Sequence, residues 1–115
     1  MSHSANFISS RLPIGGVAAY SIRHGDDVIE ADCLSKSLYP SSTQEMISRI
    51  VRGGRALLPC GAQPARYCWT YEGHRVYVAA RPDGGCLALL VENNANAQLT
   101  SINETLQAFL EMPEL

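Results

Sequence analysis

STQEMISRIVRGGRALLPCGAQPARYCWTY, residues 42–71, reads as a helix, a turn and an aromatic strand. Ser42 and Glu45 have the spacing of a capping box, in which each side chain satisfies a backbone N–H at the helix start. The apolar residues Met46, Ile47, Ile50, Val51, Leu57 and Leu58 fall within an arc of about 140° on a helix. Gly54 lies inside that arc, and Arg49, Arg52 and Arg55 lie opposite. Each interior glycine costs a helix about 1 kcal/mol relative to alanine. Gly53-Gly54 therefore has two readings: the helix continues and something packs closely on it, or it ends there with a C-terminal cap. Pro59-Cys-Gly-Ala-Gln-Pro64 is a turn or loop. In the strand that follows, Tyr67, Trp69 and Tyr71 share one face, and Cys68 and Thr70 share the other.

Outward from this stretch, the remaining elements follow the same logic. Ser4–Leu12 is a short helix limited by Pro13. Ile14–Arg23 is a strand rich in small residues, suited to a central place under a helix. His24-Gly-Asp-Asp27 is a hairpin turn, and Val28–Cys33 is a strand with one wet face, as at a sheet edge. Arg66–Glu72, His74–Ala80 and Cys86–Val91 form a meander, with Arg81-Pro-Asp-Gly-Gly85 at its second turn. Cys86–Val91 is apolar on both faces, which suits a central, covered strand. A last helix spans Ala97–Glu111, with Leu99, Ile102, Leu106, Phe109 and Leu110 within about 100°. The order α-β-β-α-β-β-β-α predicts an α+β fold, a five-stranded antiparallel sheet with helices on both faces, in a single domain over residues 1–115.

Composition narrows the function classes. Hydrophobic residues make up 46% of the 115 and charged residues 17%, the profile of a globular chain. A net charge of −2 offers no case for nucleic acid or an anionic membrane. The longest apolar run, Cys86–Val91, is too short to span a bilayer, and the start lacks a secretory pattern, so a cytoplasmic location is expected. Cys33, Cys60, Cys68 and Cys86 contain no metal-ligand spacing and are expected to be buried thiols. Cys68 and His74 are the nearest approach to a nucleophile–base pair, and the simpler expectation is a buried Cys and a turn His. No phosphate loop, dinucleotide fingerprint or calcium loop is present. The expectation is no enzyme activity and no cofactor or metal.

Ile14–Ala31, with its glycines and its Gly-Asp-Asp turn, resembles the first hairpin of the roadblock / dynein light chain family. Tyr67–Val91 resembles the family's meander, and Leu99–Leu110 its closing helix. The first helix is shorter than is usual there. The resemblance implies a non-catalytic dimer that regulates or scaffolds other proteins, often small Ras-like GTPases. It also implies that the central helices pack on each other and that the third strands join two sheets. The dimer interface so expected comprises Ile47, Ile50, Val51, Gly54 and Leu58 with Tyr67, Trp69 and Tyr71. A lone aromatic strand would otherwise be an aggregation hazard, and a two-fold contact removes it. Arg49, Arg52 and Arg55 read either as a solvated face or as a weaker contact for an acidic partner. The alternative function is a longin- or profilin-like adaptor that binds a peptide or partner protein as a monomer.

Overall fold

A computed structural model describes residues 3–25, 27–57, 65–71, 73–92 and 97–113. Among the described residues the fold is α+β, with three helices and one open, five-stranded antiparallel sheet. The elements are α1 (His3–Ser9), β1 (Val17–His24), β2 (Asp27–Cys33), α2 (Pro40–Leu57), β3 (Ala65–Tyr71), β4 (His74–Ala80), β5 (Gly85–Glu92) and α3 (Leu99–Glu111). The sheet order is β2-β1-β5-β4-β3, so hairpin neighbours stay adjacent and β5 returns to pair with β1. The apolar run of β5 thus occupies the centre of the sheet, and β2 and β3 are the two edges.

Strand alternation divides the core. Leu87, Leu89 and Val91 of β5 join Tyr20 and Ile22 of β1 and Ile102, Leu106 and Phe109 of α3 in one buried cluster. Ala88 and Leu90 join Val76 and Val78 of β4 and Ile47 and Val51 of α2 in another. The helical stripes fit these clusters because residues three and four apart project to one side. Full burial of Leu87, Leu89, Ile102 and Phe109 contributes about 1.5–3 kcal/mol per side chain.

α2 differs from its expected start and decides between the two readings of its far end. It starts at Pro40 rather than at Ser42, so Ser42 lies within the first turn and the capping box is not the start. Pro40 suits an opening position because its fixed φ is helical and its missing N–H would have no helical partner. The helix also continues through Gly53-Gly54 to Leu57, which removes the C-cap reading.

The β4–β5 turn fastens α3. Arg81 donates from Nη1 to the carbonyl of Phe109 at 2.7 Å, satisfying an acceptor in the helix's last turn. Its Nε and Nη2 hold the Asp83 carboxylate at 3.0–3.2 Å, and Asp83 Oδ1 accepts the Gly85 N–H at 2.8 Å. The guanidinium holds the Asp83 carboxyl below its ordinary value, with the Gly85 N–H adding to the effect against some desolvation. Gly84, at φ +93°, supplies the left-handed step that the turn needs.

Candidate protein-contact site

The aromatic face of β3 lies against α2. Tyr67 pairs with Val78 and Trp69 with Val76, both in the cluster beneath α2. The Tyr67 hydroxyl reaches the Val51 carbonyl at 3.4 Å. A Cβ on Gly54 would lie 2.2 Å from the Tyr67 ring. Gly54 therefore makes room for a side chain of its own subunit, not for the backbone of another.

The expected interface residues separate accordingly. Ile47 and Val51 are 0% exposed; the subunit's own core takes them up, and they offer no surface to a second copy. Gly54 is buried and faced by Tyr67, which itself is half-buried. Ile50 is half-buried and stays at the surface, and Trp69 is 39% exposed. Leu58 and the side chains of Arg55 and Tyr71 lie outside the described residues.

Ile50 and Trp69 meet in a groove of about 530 Å³ between α2 and β3, lined also by Met46, Ser42, Glu45, Arg49 and Thr70. Its apolar side chains are Met46, Ile50 and Trp69, and the others are polar. A Cβ on Gly53 would stand 4.0 Å from the Trp69 ring, so the indole reaches toward the helix at that point. Sequence reasoning misses Met46 as a site residue because helical periodicity gives the centre of the buried arc. The flank that meets an open sheet edge depends on which way the helix crosses the sheet.

Arg49 and Arg52 are exposed. Arg49 pairs with Glu45 at 2.8 Å one turn earlier, with both side chains largely in water. Such a pair contributes only a few tenths of a kcal/mol. The opposite flank of α2 is tied to the sheet. Gln44 donates to the carbonyls of Tyr20 and Asp32 at 3.2 and 3.3 Å, and the buried Arg23 donates to the Ser48 hydroxyl. The flank of the helix beside β3 is held at Val51 by the Tyr67 hydroxyl and otherwise borders the groove.

Two chemical expectations change. Cys68 is exposed rather than buried, and His74 is half-buried within β4 rather than in a turn. Alternation sets them on opposite faces: Cys68 pairs with Tyr77, whereas His74 lines a cavity with Met46 and Leu90 on the α2 side. They cannot act as a pair. Desolvation raises the Cys68 pKa, and nearby Arg75 offsets part of the rise, which disfavours the thiolate. Among the described residues, no group of His, Cys, Asp and Glu is arranged to hold a metal ion. Also among them, no helix is long and apolar enough to cross a membrane.

Comparison with family models and with curated proteins found no match.

Proposed function

We propose that the chain is a roadblock-like, non-catalytic regulator or scaffold that works as a homodimer. In this reading β3 of each copy joins the two sheets, and the groove-side flank of α2 closes over the seam. The observation that carries it is the state of the β3 edge: among the described residues, a regular strand with no acid, proline or bulge and with Trp69 at its rim, beside an apolar-floored groove. Such an edge is a template for another strand. A second copy fits it because a two-fold contact presents the same patch from both sides. Tyr and Trp commonly anchor such contacts. The partner regulated by the dimer is, in this reading, a small Ras-like GTPase or a signalling complex.

Sedimentation at micromolar concentration tests the dimer. The expected result is a particle of twice the 12.5 kDa chain mass. A particle of 12.5 kDa at all concentrations overturns it and favours a monomeric adaptor that takes a peptide in the same groove.

A further inference from the structure

We infer that the two copies pair β3 with β3 antiparallel about a two-fold axis at Cys68, an inference that rests on the dimer just proposed. Three observations lead to this register. Tyr71 and His74 are paired, and the Arg81 N–H donates to the Gly85 carbonyl across the β4–β5 turn, so alternation along β4 turns the backbone groups of His74, Val76 and Val78 toward β3. Hydrogen-bonded pairs then recur at every second residue, at Trp69↔Val76 and Tyr67↔Val78. Arg66, Cys68 and Thr70 therefore turn their N–H and C=O groups away from β4, toward the open edge. A second β3 must bond those groups with its own Arg66, Cys68 and Thr70. Only registers with the axis on a residue, not between residues, meet this condition.

The second observation is the strand's length. β3 covers seven residues, Ala65–Tyr71, with Cys68 at the centre. An axis at Cys68 pairs all seven described residues of the strand, whereas an axis at Tyr67 or Trp69 leaves described residues overhanging at each end. The third is the side-chain match. With the axis at Cys68, Tyr67 of each copy stands directly opposite Trp69 of the other. This falls at a non-hydrogen-bonded pair, where side chains approach most closely. The two aromatic pairs lie on the α2 face, beside Met46 and Ile50. On the other face Arg66 stands opposite Thr70, and the two exposed Cys68 thiols meet at the axis.

Paired cysteines test the register. All the pairs compared lie at hydrogen-bonded positions, with Cα atoms about 5.5 Å apart, within disulfide range. In a chain carrying Cys33→Ser and Cys60→Ser, with the buried Cys86 retained, diamide is expected to join Cys68 to its counterpart. Each disulfide passes two electrons and two protons to the diamide. In a Cys68→Ser background, co-expressed Arg66→Cys and Thr70→Cys chains are expected to cross-link with each other, and neither with itself. These substitutions leave the aromatic face intact. Preferential cross-linking of Cys68 to a co-expressed Thr70→Cys chain moves the axis to Trp69 and overturns the register. Preference for Arg66→Cys moves it to Tyr67 and overturns the register equally. A sedimenting dimer that cross-links at none of these positions also overturns it. A sedimenting monomer instead removes the dimer itself, so the two failures are distinct.

Discussion

The two edges of the sheet are built differently. β2 carries Asp27, Glu30 and Asp32, and its ladder with β1 is broken by a bulge near Ile22 and Arg23. Asp32 Oδ1 accepts the Cys33 N–H at 2.8 Å, and Gln44 donates to the Asp32 carbonyl at 3.3 Å, so local side chains occupy backbone groups of this strand. Charges, bulges and covered backbone groups are the usual means of keeping an edge from templating another strand. β3 is less protected among the described residues: it has no acid, no proline and no bulge, its one charge is Arg66, and its register is unbroken from Ala65↔Ala80 to Tyr71↔His74. Both edges expose apolar side chains, Val28 at 54% and Trp69 at 39%. Exposure alone therefore does not distinguish them; protection of the backbone does.

The largest expected effect follows from placing a charge on the less protected edge. Trp69→Glu would set two carboxylates against the aromatic seam and remove an anchor of the kind that contributes about 2–4 kcal/mol. The dimer is expected to weaken roughly 30- to 1,000-fold while the subunit stays folded, because Trp69 stands at the rim of the core. Val28→Glu on the other edge is expected to leave the mass unchanged. Sedimentation equilibrium of both variants decides the comparison. Equal weakening by the two substitutions would mean that the edges are not distinct.

The glycine pair gives the next effect. Gly54→Ala gains about 1 kcal/mol of helix propensity but drives a methyl group into the Tyr67 ring. Overpacking of that kind costs about 1–3 kcal/mol, so a net loss of up to about 2 kcal/mol in urea unfolding is expected. Gly53→Ala has room at 4.0 Å and is expected to stabilise the chain by up to about 1 kcal/mol. A stabilised Gly54→Ala would mean that Tyr67 does not pack on α2.

These contrasts show what is legible in the residues and what is not. The α+β class and five-stranded sheet follow from alternation in β3 and β4, the all-apolar β5 and the stripe of α3. The aromatic face of β3 is legible for the same reason, since alternation fixes which side chains share a face but not what they face. Ile47, Val51 and Gly54 are taken up by the subunit itself because one apolar arc on α2 serves its own core. Its flank at Met46 and Ile50 borders the groove. Periodicity describes the arc, whereas the direction in which α2 crosses the sheet is a tertiary property. The Pro40 start is obscured by Ser42 and Glu45, whose spacing matches a capping box that the helix does not use as its start.

The smallest effect belongs to the protected edge and depends on pH. The Tyr20 hydroxyl donates to Glu30 Oε1 at 3.3 Å, linking β1 to the acidic strand. Burial first, then the charges of Glu30 and Asp32, push the phenol pKa from its ordinary 10.0 up to about 12. The fold thus favours the neutral phenol, and its stabilising contribution is fully present below the unfolded pKa. That contribution fades as pH rises through the interval between the two values. A loss of about 1 kcal/mol is expected between about pH 10 and pH 11. Tyr20→Phe should lack this component of the alkaline decline in urea unfolding, at some constant cost from the lost hydrogen bond. If the two proteins lose stability in parallel over that range, the acids of β2 do not act on Tyr20, and their role at this edge is confined to keeping other strands away.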